Sequence, residues 1–341
     1  MKNRNIRRIG AKDLKKKSVS AEDIAKIANV SQSTVSRVFT PGASVSEETK
    51  KRVLKIAEEQ NYRPNALARG LIKNKTNIVG LAMKDIQNPF YHEVLGKFTQ
   101  KLREKGYSVL FVYTENEEIQ QEEINNFLEY NVEAIIVTDA LLSSKVVKKL
   151  HQNEIPVILF NRNDQNMDCH SVSCDNISAS ERIAKYVYEQ GYRDIVFITG
   201  KMNTSTTQER LEGFTTYLHE RGVGVRILYG DYTYEKSFYL TTNLLDEGGK
   251  PEVIFGANDI TALGALDALK LKEIKVPDKT EVIGFDDIKM SSWPTYRLST
   301  WAQPIDQMVD KTIHIIVGDQ QMHTASVQLK GEFIHRRTTK K

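Results

Sequence analysis

Long apolar runs are missing from this sequence. The longest, such as Ile78–Met83 and Ile195–Thr199, are strand-sized, far short of the roughly 20 apolar residues that cross a bilayer as a helix. No membrane span is expected. The opening residues carry Lys2, Arg4, Arg7 and Arg8 with no apolar stretch behind them, which argues against a secretory signal and for a cytoplasmic protein. Cysteine is scarce: Cys169 and Cys174 are the two, expected as reduced thiols. No CxxC, HExxH or clustered Cys/His spacing occurs, so neither a metal site nor a cofactor is expected. Catalytic signatures are lacking as well. There is no GxSxG elbow, no GxxxxGK(S/T) loop, and no GxGxxG placed after a strand. Asp286 and Asp287 are neighbours at a predicted strand end and point to opposite faces, so they do not form an acid/base pair. The chain is not expected to be an enzyme.

What is present is a soluble globular composition: 341 residues, 40% hydrophobic and 27% charged, too long for one ordinary core. The net charge of +4 conceals an asymmetry. Residues 1–75 hold 18 Lys+Arg against 7 Asp+Glu, and the remainder holds 30 against 37. A basic segment on an acidic body points to a polyanion partner at one end only.

Residues 1–18 read as a basic, flexible tail. Three short helices follow. Ser20 before Ala21-Glu22-Asp23 resembles a capping box, and the first helix runs to about Ala28 with Ile24, Ala25, Ile27 and Ala28 on its buried face. Asn29-Val30-Ser31 is a tight turn, in which Asn accepts positive φ. Ser31 caps a second helix to about Phe39, with Val35 and Val38 inward. Ser46 caps a third, from about Glu47 to Gln60. Two short helices joined by a three-residue turn form a helix-turn-helix pattern. From about Asn77, apolar strands (Ile78–Met83, Ser108–Tyr113, Ala134–Thr138, Pro156–Phe160, Ile195–Thr199, Val225–Tyr229, Val253–Phe255, Glu281–Phe285) alternate with amphipathic helices. That alternation means parallel sheets wrapped by helices, and the length accommodates two. The predicted fold is therefore α/β: an all-α head followed by a two-lobed body with two parallel sheets.

Residues 19–71, VSAEDIAKIANVSQSTVSRVFTPGASVSEETKKRVLKIAEEQNYRPNALARGL, carry V-S-x-x-T-V-S-R-V, then V-S-x-x-T-x-x-x-V, then N-Y-x-P-N-x-x-A-R-x-L. With Asn88-Pro89-Phe90, Arg210-x-x-Gly213-Phe214, Ala257-Asn258-Asp259 and Gly284-Phe285-Asp286-Asp287 in the body, the chain resembles the LacI/GalR family of bacterial transcription regulators from about 19 to 336. It departs at Asn29, where that family most often has Gly. The expected organisation is a tail (1–18), a helix-turn-helix domain (19–63), a hinge helix and linker (64–76) and a ligand-binding body (77–336). The N-lobe would hold 77–174 and 303–332, the C-lobe 175–302 and 333–336, and 337–341 a frayed tail.

The resemblance implies a homodimer on a pseudo-palindromic double-stranded operator. The second helix would enter the major groove with Gln32, Ser33 and Arg37 reading base edges, since Gln pairs bidentately with adenine and Arg with guanine. Ser31, Thr34 and Ser36 suit phosphate or capping contacts. Asn65 would cap the hinge, and Leu71, with Ala68 beside it, would wedge into the minor groove. The body resembles periplasmic sugar-binding proteins, and strand-end loops supply the candidate pocket: Asn88, Phe90, Asn161, Arg162, Arg210, Tyr232, Asn258, Asp259, Asp286 and Gln303. Phe90, Tyr232 and Trp301 could stack on a ring. Asn161 stands where many sugar-binding relatives carry Asp. Losing that carboxylate while keeping Arg162 and Arg210 predicts a more positive pocket, favouring a sugar acid or sugar phosphate over a plain sugar. The small-molecule effector acts either as inducer or as co-repressor. Two alternatives stand beside this reading. A non-catalytic sugar-binding protein has no use for a basic head, and an architectural DNA binder has no use for a cleft. No leucine-heptad segment follows the body, so a tetramer through a helical tail is not expected.

Overall fold

A computed structural model of the chain describes residues 19–40, 42–64, 75–164, 167–318 and 324–340. The expected tail at 1–18 and the hinge positions Asn65, Ala68 and Leu71 lie outside them. The chain divides into two units, residues 1–76 and 77–341.

In the first unit, α1 spans Ala21–Ala28, α2 Gln32–Val38 and α3 Glu47–Glu59. Each begins at a serine whose hydroxyl accepts an otherwise orphaned backbone N–H: Asp23 N to Ser20 Oγ at 3.2 Å, Thr34 N to Ser31 Oγ at 3.1 Å, and Thr49 N to Ser46 Oγ at 3.3 Å. Asp23 completes the capping box by accepting from the Ser20 N–H at 2.9 Å. Asn29 ends α1 at φ 50°, ψ 51°, the left-handed conformation that the tight turn requires. Ile24, Ala25, Ala28, Val35, Val38 and Val53 form the core. Ile27 does not join them, being 54% exposed. At 100° per residue it lies about 200° round the axis from Ala25, on the face turned away from α2 and α3.

The body contains two six-stranded sheets. The first runs in the order β11 (Ser326–Leu329), β5 (His170–Cys174), β4 (Val157–Phe160), β3 (Ala134–Val137), β1 (Ile78–Met83), β2 (Ser108–Tyr113), parallel throughout. The second runs β12 (Glu332–Ile334), β10 (Ser299–Ala302), β9 (Glu281–Asp286), β8 (Val253–Gly256), β6 (Ile195–Thr199), β7 (Val225–Tyr229), with β12 alone antiparallel. Helices α4 (Pro89–Glu104), α5 (Gln121–Glu129), α6 (Ser144–Gln152), α7 (Asn176–Glu189), α8 (Ser205–His219), α9 (Tyr234–Asp246), α10 (Asp259–Leu271) and α11 (Ile305–Val317) complete it. Strands β3, β4, β6, β8 and β9 are buried along their whole length, as strands covered on both faces must be.

The four strands the hydrophobic pattern does not reveal, β5, β10, β11 and β12, are short and rich in Ser, Thr and Gln or Glu. They surround the three passages of the chain between the sheets. Since β12 begins at Glu332, the last passage lies at 330–331 and not after 332. Residues 338–339, expected in a frayed tail, are instead held in the fold. Thr338 and Thr339 are 2% and 4% exposed. Val282 N–H donates to the Thr338 carbonyl at 2.9 Å, and Ser299 N–H to its hydroxyl at 2.8 Å. Threonine is polar in a composition count, yet here the carbonyl and the hydroxyl of Thr338 each satisfy one buried backbone donor of the second sheet.

Two further expectations change. Trp301 is 3% exposed and stacks on Phe285, ring centroids 6.4 Å apart, so it is core. Asp259, expected in the pocket, is wholly buried. Its carboxylate accepts from Ile288 N (2.8 Å), Ser291 Oγ (2.6 Å) and Thr300 Oγ1 (2.5 Å), tying α10 to β10 and to the segment after β9. A Cβ on Gly284 would fall 2.2 Å from its Oδ1, so the glycine in β9 makes the space this carboxylate occupies.

These contacts generate two predictions. Ile24→Ala should destabilise the head by about 2–5 kcal/mol and Ile27→Ala by less than about 0.5 kcal/mol, read as amide exchange protection in α1–α3 of the full chain. Equal losses would place Ile27 in the core after all. Burial, then the charge of Asp286, pushes the Asp259 carboxyl up to about 8. The folded state thus holds this proton more tightly than the unfolded chain. The stabilisation is complete below about pH 4 and is lost as pH rises through about 8. Asp259→Asn should flatten the decline in stability between about pH 6.5 and 8.5, which is at most about 1.4 kcal/mol per pH unit. Melting curves across that window check it, and an unaltered slope assigns the proton elsewhere.

Candidate functional site

The DNA-facing candidates sit on α2. Gln32, Ser33 and Arg37 are exposed, Ser33 and Arg37 one turn apart on a single face, while Val35 and Val38 anchor the opposite face in the core. Ser31 Oγ lies 2.8 Å from both Ser33 Oγ and Thr34 Oγ1, so Ser31 and Thr34 are engaged in capping. The Ser36 carbonyl accepts from Thr40 Oγ1 at 2.9 Å, which closes the helix. A short, rigid helix with a Gln, a Ser and an Arg directed outward can address base edges.

In the body, the carboxyl ends of the strands meet a cleft of about 300 Å³ lined from both lobes. The local sequence builds its walls through helix caps and left-handed turns. Asn88 caps α4 by accepting Phe90 N–H at 3.1 Å, and Asn258 caps α10 by accepting Thr261 N–H at 2.9 Å. Asn161, Asp231, Tyr232 and Asp286 all have positive φ and all line the cleft. Backbone held in such sparsely populated regions clusters at ligand sites. The Tyr232 ring lies against Gly200, where a Cβ would be 2.0 Å from it, and its hydroxyl accepts from Thr207 Oγ1 at 2.8 Å.

Arg210 forms the floor. It is 2% exposed; Nε donates to Asn176 Oδ1 at 2.9 Å, Nη1 to the Ala257 carbonyl at 2.6 Å, and Nη2 lies 3.7 Å from Asp286 Oδ1. Burial pushes the Asp286 carboxyl up to about 6, while Arg210 and Gln303 act in the opposite sense. Arg162 donates to the Ala140 carbonyl. Asn161 is 6% exposed and its Oδ1 has no hydrogen-bond partner among the described residues.

The structure therefore brings Asn88, Phe90, Asn161, Arg162, Arg210, Tyr232, Asn258 and Asp286 to one cleft. It leaves Asp259 beneath the wall. Gln303 stands behind Asp286, donating to Oδ1 at 2.7 Å. Phe90 is 2% exposed, so most of its ring is core. Lys84, Asp85, Tyr113, Asp139, Lys201 and Asp231 also line the cleft and were missed. Lys84 and Lys201 directly follow the first strand of each sheet (β1, and β6 with Gly200 between), and the strand-end rule applied there would have found them. The aspartates of the lining correct the expected positive pocket: Lys84, Arg162, Lys201 and Arg210 face Asp85, Asp139, Asp231 and Asp286, four against four among the described residues. Asp139 accepts the N–H groups of Lys84 (2.7 Å) and Asp85, and Asp85 those of Gln87 and Asn88 (both 3.1 Å). Burial, first of all, raises the Asp85 carboxyl.

Residues 76–334 match the family description "Periplasmic binding proteins and sugar binding domain of LacI family", and residues 20–65 match "Bacterial regulatory proteins, lacI family". Catabolite control protein A of Priestia megaterium is 29% identical over 331 residues, covering 95% of this chain and all of the relative. The HTH-type transcriptional regulator AscG of Escherichia coli K12 is 32% identical over 301 residues, covering 85% and 89%. In fold, the chain is similar to the lac repressor dimer crystallised with operator and the anti-inducer ONPF: TM-score 0.84, 24% identity, 95% of this chain and 99% of that one covered. The chain belongs to the LacI family of bacterial regulatory proteins, a transcription regulator with a helix-turn-helix DNA-binding region and a sugar-binding-type, periplasmic-binding-protein-like body.

Proposed function

We propose that this regulator acts as a repressor which, as a homodimer, binds a pseudo-palindromic operator and is controlled by a sugar or sugar derivative in the cleft. The observation that carries the reading is Asn161 Oδ1, a buried acceptor with no hydrogen-bond partner among the described residues, on a residue that lines a cleft otherwise walled by in-plane hydrogen-bonding groups. A buried polar atom left without a partner is costly, and a ligand hydroxyl would relieve it. Vicinal hydroxyls match the Asn, Asp and Arg groups converging there, and the Tyr232 ring offers a stacking face. Gln32, Ser33 and Arg37 are assigned to base readout, and Leu71 with Ala68 to the minor-groove wedge of the hinge. The protein acts by binding, not by turnover, and works in the cytoplasm, where its DNA is. No helix among the described residues is long and apolar enough to cross a membrane.

Fluorescence anisotropy on operator DNA at physiological salt should show a preference of about a thousandfold or more over scrambled DNA. Arg37→Ala should cost about 1–3 kcal/mol on the operator and relax specificity at one base pair. A variant with unchanged specificity would move base readout to other residues. In calorimetric titrations against a monosaccharide panel, Asn161→Ala should weaken the binding sugar by about 1–2 kcal/mol while leaving operator affinity without sugar unchanged. An unweakened sugar would mean that its site is not this cleft.

A further inference from the structure

At the mouth of the cleft, Glu117 Oε1 accepts from two ammonium groups at once: from Lys84, which follows β1 in one lobe, and from Lys201, which follows β6 in the other, at 2.9 Å. Both lysines line the cleft, whereas Glu117 does not. Its backbone is pinned at the rim, the Leu141 N–H donating to the Glu117 carbonyl at 2.7 Å, but its side chain is 49% exposed and can swing away. The other carboxylates nearby are committed: Asp139 and Asp85 to backbone N–H groups of the 84–88 loop, and Asp231 to Lys236. The two lysines and Glu117 together carry one excess positive charge, and among the described residues the lysines' exchangeable partner is this side chain in contact with water.

We propose that Lys84 and Lys201 form an anion subsite in the cleft and that Glu117 is an internal stand-in, displaced by a carboxylate or phosphate group of the effector. The inference rests on the reading of the cleft as an effector site and narrows its ligand to an anionic one. It also explains why the clasp spans the lobes. An anion held by one lysine from each lobe retains the bridge that Glu117 makes, and adds the contacts of the ligand it belongs to. Two mobile cations converging on one point bind a compact anion as point charges, without the planar geometry that Arg imposes.

The test is calorimetric titration of the full chain with inorganic phosphate, and separately with acetate, at constant ionic strength, using wild type, Glu117→Gln and Lys84→Met/Lys201→Met. Removing the stand-in should tighten anion binding about tenfold, because a site that is about nine-tenths self-occupied loses that fraction of its apparent affinity. Removing both lysines should abolish anion binding. The stronger response, to phosphate or to acetate, identifies the group the effector carries. Equal titrations in wild type and Glu117→Gln, or no titration in either, would overturn the subsite. That comparison involves only an exposed side chain and does not depend on the double variant folding. Failure here would leave sugar control of operator binding intact. Lysine-dependent anion binding in a protein that takes up no sugar from the panel would overturn sugar control and leave the subsite.

Discussion

Arg210 brings a permanent positive charge into an interior that leaves it 2% exposed, and half of the cleft is organised by what that charge requires. A guanidinium has five N–H donors and cannot shed its proton, so each donor direction demands an acceptor. Asn176 at the start of α7 and the carbonyl of Ala257 after β8 accept two of them, and Asp286 at the end of β9 supplies the opposite charge 3.7 Å away. The Phe285 ring lies beneath, its centroid 3.6 Å from the guanidinium carbon. Two strand ends and the first crossover are thereby fixed relative to one side chain. Asp286 Oδ1 also accepts from Gln303, and the constraint passes to the second crossover. The cleft floor is rigid because a buried ion without its partners would be far more costly than the ordering that supplies them.

The same network reaches between lobes. The other Asn176 group, Nδ2, donates to Glu209 at 2.8 Å, and Glu209 in turn accepts from Asn163 of the N-lobe. The Asn163 N–H also donates to Ser205 Oγ at 3.0 Å. Burial, foremost, raises the Glu209 carboxyl, against these donors. With the Lys84–Glu117–Lys201 clasp at the mouth, the lobes are bridged by polar contacts at two separate places. Polar bridges suit parts that must separate, since each group regains water when released, whereas an apolar interface would resist opening. Control by a ligand needs two arrangements with different affinities for it, and a polar closure keeps the second arrangement accessible.

Much of the architecture was legible. Strands β1, β2, β6 and β7 begin and end where the apolar runs do. The three head helices start at the serines read as caps, because a cap is a contact across three residues and leaves a local signature. Part of the cleft was legible too, through the resemblance and through loops at strand ends. The missed residues Lys84, Tyr113, Asp139 and Lys201 stand at or just after strand ends, so their position marks them as candidates, but their identity does not: a lysine after a strand reads the same whether it faces solvent or a ligand. Asp259 and Trp301 erred in the opposite direction, as residues of binding-site chemistry that the fold put to structural use. The terminal Thr338 and Thr339 were read as solvated because polarity in a sequence does not reveal an available partner.

By itself, the sequence determined what depends on periodicity, caps and charge counts: an all-α basic head, two helix-covered sheets, and their junction near residue 76. Those quantities are set by interactions a few residues apart or by sums over a segment. Only the tertiary structure decided which carboxylates face the cleft and which are consumed beneath it, that the lining charges balance, and that Glu117 joins lysines from two lobes 33 and 84 residues away along the chain. Such pairings are made by chain passages and strand order. Whether a charge is a ligand contact, a structural tie or a stand-in depends on which partner reaches it first in space.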